Sequence, residues 1–184
     1  MKKKLLKICG MFLVFIFTFF NSIYALTPQG EFRYEGIDVS DWQGYIDYNQ
    51  VKNSGIEIVY IKSSQGINVK DPYFEVNYEN AKANNLKVGF YHFLTATNIQ
   101  EAEQQATFFA SVISGKQPDC KLALDYEQFG GVNKEQINQI AMAFIQKVKE
   151  LTKKQVIIYS DLYNSESTFN SQLASQGELW IAYY

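Results

Sequence analysis

Asp125 and Glu127 stand two positions apart at the end of an apolar run, Lys121-Leu122-Ala123-Leu124-Asp125-Tyr126-Glu127. A short apolar run behind the turn-rich Gln117-Pro118-Asp119 reads as a buried parallel strand. Side chains alternate along a strand, so the two acids share one side while Leu124 and Tyr126 take the other. Two carboxyls held that close repel, and at least one keeps its proton to a higher pH than a free acid. A protonated acid beside a charged partner is what acid-assisted glycoside hydrolysis needs, the first serving the leaving oxygen. The bland alternative is a helix-capping Asp beside a solvated Glu at a strand-to-helix turn. This stretch alone does not exclude it.

Other candidate residues sit at strand ends. Asp38 and Ser40 share a face of Gly36-Ile37-Asp38-Val39-Ser40. Lys62 closes the β-branched run Glu57–Ser63, where its amine either pairs with the carboxylates or snorkels to the surface. Tyr91, Tyr159 and Tyr183 sit where rings stack on sugars or pack in a core, and at least one is expected to face a cleft. Trp42 either lines the rim or pins the first loop; pinning is the preferred reading. His92 is the single histidine, so it reads as a structural hydrogen-bonding residue rather than a metal ligand. Cys120 reads as a small buried hydrophobe, and Lys147, Lys149, Lys153 and Lys154 as a solvated helix face.

The elements that must hold these residues alternate. Strands are expected at 36–40, 57–63, 87–93, around 121–127, 155–160 and 179–184. Helical turns or helices are expected at 48–52, 73–84 behind Asp71-Pro72, 99–113, 133–152 capped by Asn133, and weakly at 168–174. Ile137, Ile140, Ala141, Phe144, Ile145 and Val148 form one apolar stripe. Strands apolar on both faces and separated by helices mean parallel βα units, in an open sheet or a barrel. No Gly-rich phosphate fingerprint follows the first strand, which leaves a nucleotide-binding sheet without support.

Bulk properties narrow the class. The basic opening Met1-Lys2-Lys3-Lys4, the apolar run from Met11 to Phe20 and the small Ala25 define residues 1–25 as a secretory signal peptide. Residues 26–35 form a polar lead-in, and 36–184 one domain with a real core. Cys120 is then the only cysteine, so packing rather than a disulfide must hold the exported domain. The net charge of −2 includes the leader's lysines, which argues against nucleic acid as a partner. Aromatic residues make up 16% of the chain, suiting either a carbohydrate cleft or an aromatic core.

Five segments taken in order resemble the family 25 glycoside hydrolases, the N-acetylmuramidases that include phage endolysins and fungal and bacterial lysozymes. They are Gly36-Ile37-Asp38-Val39-Ser40-Asp41-Trp42-Gln43-Gly44, Tyr60-Ile61-Lys62, Gly89-Phe90-Tyr91-His92-Phe93, Leu124-Asp125-Tyr126-Glu127 and Trp180-Ile181-Ala182-Tyr183. The resemblance implies an α/β fold, a TIM-like irregular β/α barrel with its site at the strand C-terminal ends. About six of eight strands are expected, the last strands being absent. By resemblance Glu127 is the general acid, Asp125 its partner and Asp38 the acid that completes the cluster; Glu127 is expected deepest in the mouth. Lys62, Tyr91, Tyr159, Tyr183 and Gln65 are the expected substrate-binding residues. The implied substrate is the peptidoglycan glycan strand, cut at the β-1,4 bond between N-acetylmuramic acid and N-acetylglucosamine. No metal or cofactor is implied, and no stable membrane association once the leader is removed.

Two departures stand out. Ser64-Gln65-Gly66 replaces a segment where many members carry an acid, so Gln65 can hydrogen-bond a sugar but brings no charge. Family members also continue past the Trp-Ile-Ala-Tyr strand to a further acidic site residue, which makes truncation an expectation. The rival readings are an inactive glycan-binding remnant and a chitinase-like hydrolase. The latter's upstream aspartates are replaced here by Lys121 and Ala123. The Asp-x-Glu spacing leans towards a substrate-assisted route through an N-acetyl group.

Overall fold

Parallel strands alternate with helices as the apolar pattern requires. The computed structural model describes residues 33–182; the expected leader and Tyr183 lie outside them. In chain order the strands are β1 (Gly36–Val39), β2 (Ile58–Gln65), β3 (Val69–Lys70), β4 (Lys87–Phe93), β5 (Leu122–Asp125), β6 (Val156–Asp161) and β7 (Leu179–Ala182). The helices are α1 (Tyr48–Asn53), α2 (Phe74–Ala83), α3 (Ile99–Val112), α4 (Lys134–Thr152), α5 (Leu162–Ser167) and α6 (Ser171–Ala174). The sheet runs β1-β2-β4-β5-β6-β7, all parallel, with β3 folded back antiparallel on β2. Among the described residues it is the curled, incomplete β/α barrel that the family resemblance implies.

Strand parity divides the molecule into two faces. Val59, Ile61, Val88, Phe90, Leu122, Leu124, Val156 and Ile158 point outward and are buried under the helices. Those helices answer with Phe74 and Ala81 from α2, Ala102, Ala106 and Phe109 from α3, and the expected stripe of α4. Asn133 caps α4 in a full capping box with Gln136, satisfying backbone amides that a helix start leaves orphaned. The Asn98 side chain caps α3 by accepting from the Glu101 amide.

Inward, the sheet curls around aromatic rings. The Tyr60 ring on β2 reaches Trp180 on β7 at a centroid distance of 4.8 Å, and its hydroxyl donates to the Lys121 carbonyl at 3.1 Å. Gly89 makes this possible, because a Cβ there would overlap the Tyr60 ring. Trp180 in turn meets Tyr159 edge-on at 4.9 Å.

Two elements differ from expectation. The segment 162–174 forms two short helices, α5 and α6, rather than one weak helix from 168. Asp161 caps α5 directly at the strand end, its carboxylate accepting from the Asn164 amide at 2.7 Å. The hairpin strand β3 was not foreseen; Gly66, at φ +59, turns the chain back in a region that side chains rarely adopt.

Gly89→Ala should therefore destabilise the domain by about 1–3 kcal/mol through overpacking. Urea denaturation of the variant and of Gly89→Ala/Tyr60→Leu would show it, the second substitution returning part of the loss. Equal midpoints for wild type and Gly89→Ala would mean that the ring has room to move.

Candidate active site

The cleft forms where inward residues leave the C-terminal ends of the strands. It encloses about 460 Å³ and is lined by Asp38 from β1 and Ser40 just after it, Lys62 and Gln65 from β2, and Tyr91 and Phe93 from β4. Asp125, Glu127, Gln128, Tyr159 and Trp180 complete it, with Trp42 and Gln43 from the turn after β1. Seven of the sequence-derived candidates thus converge on one cavity: Asp38, Lys62, Gln65, Tyr91, Asp125, Glu127 and Tyr159.

The acid pair owes its alignment to β6. Beyond Asp125 the chain stays extended, as the Tyr126 amide donates to the Tyr159 carbonyl at 3.0 Å and Ser160 Oγ donates to the Tyr126 carbonyl at 2.7 Å. Tyr126 is thereby turned fully into the core, while Asp125 and Glu127 both face the cleft. Depth is where expectation fails. Asp125 is the deeper acid, 8% exposed, whereas Glu127 is half-buried two residues past the strand end. Asp125 Oδ1 has no hydrogen-bond partner among the described residues.

Electrostatics follow depth. Burial pushes the Asp125 carboxyl up to about 8, helped by the Glu127 charge and by a hydrogen bond to Glu127 that needs a proton. The Lys62 ammonium pulls in the opposite direction, and Asp38 adds a smaller push. Asp38 is open to the cleft mouth but hemmed by protein, and this loss of water raises its carboxyl, partly offset by its own amide. Burial, then the Asp38 and Asp125 charges, keeps the Tyr91 hydroxyl protonated well above the usual tyrosine range; it hydrogen-bonds with Ser40.

Lys62 faces the cleft instead of snorkelling outward. Its amine donates to Gln65 Oε1 at 2.9 Å and lies 5.4 Å from the Phe93 ring centroid. A bulge between Lys62 and Ser64 makes this pairing possible, pairing Lys62 with Tyr91, Ser64 with His92 and Gln65 with Phe93. Ser64 and His92 consequently point to the helices. His92 is fully buried, bonded to Ser64 Oγ at 2.9 Å and Gln105 Oε1 at 3.2 Å, and stacked on Phe144. Burial lowers its pKa to about 4, so it is a neutral structural residue, as expected.

Trp42 corrects the sequence reading. Its indole is 87% exposed at the cleft rim and pins nothing. The turn is held by a capping box of Ser40 and Gln43 and by Asp71, whose Oδ2 accepts from the Asp41 amide at 3.0 Å. Cys120 is half-buried rather than buried, and burial raises its thiol. Lys147 pairs with Glu150 and Lys149 caps the Gln176 carbonyl, so the lysine face is only partly free in solvent. Sequence reasoning put Ser40 on the Asp38 face without assigning it a role, and missed Gln43, Phe93, Gln128 and Trp180 as cleft residues. Parity was the available signal for Phe93, two positions from Tyr91, and Ser40-x-x-Gln43 is itself a capping-box pattern. Among the described residues no group of three or more His, Cys, Asp or Glu is placed to hold a metal ion.

Comparison with known proteins agrees with this geometry. The sequence model of the glycosyl hydrolases family 25 matches residues 37–184. The autolytic lysozyme of Clostridium acetobutylicum is 36% identical over 154 residues, covering 82% of this chain and 45% of that protein. Lysozyme M1 of Streptomyces globisporus is 31% identical over 161 residues, covering 82% and 54%. The chain thus spans about half the length of these curated relatives. Among solved structures, the bacterial lysozyme of Streptomyces coelicolor superimposes with a TM-score of 0.72 at 31% identity, covering 82% of this chain and 74% of that one.

The raised Asp125 carboxyl has a consequence for stability. The native state holds this proton more tightly than the unfolded chain, so wild type loses stability as pH rises from the ordinary carboxylate range towards 8. Asp125→Asn escapes that loss. The variant should match wild type near pH 4 and exceed it by about 1 kcal/mol or more near pH 8, read from urea midpoints at both. The same difference at both pH values would exclude a buried proton here.

Proposed function

The chain belongs to glycosyl hydrolase family 25, and on that premise we propose that its cleft hydrolyses the β-1,4 bond between N-acetylmuramic acid and N-acetylglucosamine in peptidoglycan. The observation that carries this reading is the placement of the buried Asp125 carboxyl and the more accessible Glu127 together in one aromatic-walled cleft. A carboxyl kept protonated by burial beside a second acid open to the substrate is a ready source of a proton at working pH.

In this mechanism Glu127, the more accessible of the two, delivers the proton to the leaving glycosidic oxygen. The electron pair of the breaking C–O bond goes to that oxygen, and positive charge grows on the sugar ring. Asp125 and Asp38 then face a developing cation, and the burial that made their ionisation costly strengthens their attraction to it. Stabilisation is thus greatest in the transition state, where it accelerates the step. The acetamido group of the sugar is the internal nucleophile this arrangement favours, with Asp125 orienting it, and water completes the hydrolysis. Lys62, Gln65, Tyr91 and Tyr159 bind the sugars; Tyr183, outside the described residues, is proposed only from its place in the motif Trp180-Ile181-Ala182-Tyr183. The substrate lies outside the cytoplasmic membrane, and the basic-then-apolar opening of the chain would supply the export signal.

The reading is tested with purified Gram-positive cell walls and the chain from Leu26. Wild type should release reducing ends, and Glu127→Gln should lower the rate by at least about 100-fold, the scale of one general acid. A folded wild type that binds walls and releases none would favour a glycan-binding module instead.

A further inference from the structure

An exposed indole is an unfavourable use of a large apolar side chain, yet single exposed hydrophobes are common and mean little alone. Two further observations set Trp42 apart. Its ring borders the cleft, and its backbone is fixed far more firmly than a surface loop requires. The Ser40 amide donates to Gln43 Oε1 at 2.8 Å, the Trp42 amide to Ser40 Oγ at 3.3 Å, and the Gly44 amide to the Asp41 carbonyl at 3.1 Å. Asp71 adds a clamp from outside the turn. It is 4% exposed and accepts from both the Asp41 amide at 3.0 Å and the Tyr73 amide at 2.9 Å, tying the turn to the start of α2. The backbone is rigid and the ring is bare. Trp180, by contrast, is packed against Tyr60 and Tyr159.

A rigid ring with a free face at the edge of a cleft suits one kind of ligand surface. The axial C–H face of a pyranose is apolar and flat, and its equatorial hydroxyls need hydrogen bonds around the rim. Ser40, Gln43 and Gln128, which border the cleft with Trp42, are neutral hydrogen-bonding side chains. Pre-fixing the backbone limits the ordering cost of stacking to the indole itself. We infer that Trp42 is a stacking platform for a sugar ring beyond the two that flank the cleaved bond, so that the cleft responds to the length of the glycan. The inference rests on the glycosidase reading above and deepens it.

The test compares kcat/KM on the disaccharide N-acetylmuramyl-β-1,4-N-acetylglucosamine, which fills only the two positions flanking the cleaved bond, and on long uncrosslinked glycan strands. Wild type should prefer the long strands. Trp42→Ala should lose about tenfold of that preference, the scale of one aromatic stacking contact, and mainly through KM. Trp42→Phe should keep part of it. Tyr45→Ala, which removes another exposed aromatic (81%) that does not line the cleft, should keep all of it. An equal fall on both substrates, or no fall on either, would overturn the platform while leaving the hydrolase intact. Wild type cleaving neither substrate would overturn the hydrolase reading and the platform with it.

Discussion

The curl of the sheet depends on one ring reaching across it. Tyr60 and Trp180 belong to strands separated by β4, β5 and β6. In a flat sheet four strand spacings would hold them roughly 19 Å apart. Their ring centroids are 4.8 Å apart, so the sheet must close towards its own inner face for the contact to exist. Gly89 is the condition for it, since the ring lies where any side chain at that position would project. Once the sheet curls, residues of inward parity at the strand ends converge, and a cleft follows without further instruction. Asp38, Tyr91, Asp125, Tyr159 and Trp180 come from five different strands or their ends and meet for this geometric reason.

A single extra residue in β2 then sorts polar groups between two environments. Without the bulge beside Ser63, strict alternation would turn Ser64 into the cleft and Gln65 towards Phe109 and Phe144 under the helices. With it, Ser64 meets His92 in the core and Gln65 receives the Lys62 amine in the cleft. The core side is fully worked out in hydrogen bonds. Gln105 Oε1 already accepts from the Thr95 amide, so it accepts from His92 Nε2 as well, and Nδ1 accepts from Ser64. A neutral imidazole fits that pattern, and burial keeps it neutral. The only histidine is therefore part of the scaffold, and in the proposed reaction acid–base chemistry falls to the carboxyls.

Most of the scaffold was legible because parallel strands announce themselves as short apolar runs. Parity also told which side of β5 Asp125 and Glu127 would face. It could not tell depth, because depth depends on where pairing with β6 lets the chain rise, and no pattern within residues 121–127 encodes that. The β3 hairpin and helix α5 were hidden for another reason. Both are short, polar and set by a single residue, Gly66 or the Asp161 cap, rather than by periodicity. Trp42 was misread because an aromatic beside a turn usually packs. Here the turn is held by Ser40, Gln43 and Asp71, and the indole has no structural task left.

Rigidity is what gives the acid pair its chemistry. Two carboxylates on flexible chains would relieve their repulsion by moving apart. Asp125 cannot: its carbonyl accepts from the Leu94 amide at 2.9 Å, and its register is fixed between Phe93 and Tyr159. Glu127 is held near by the bonds that fix Tyr126 on β6. Burial and this repulsion are consequently answered by a proton instead of by motion, which in the proposed reaction is the proton given to a substrate oxygen. Lys62 limits the cost of ionisation, because its charge favours ionised Asp125. Gln65 determines how much. As a neutral acceptor it orients the ammonium without cancelling it, so the full positive charge acts on the pair. An acid at position 65 would hold the same amine in place but neutralise it, and the proton on Asp125 would be harder to remove. The neutral residue at this one position thus tunes the acid pair through a neighbour and not by touching it.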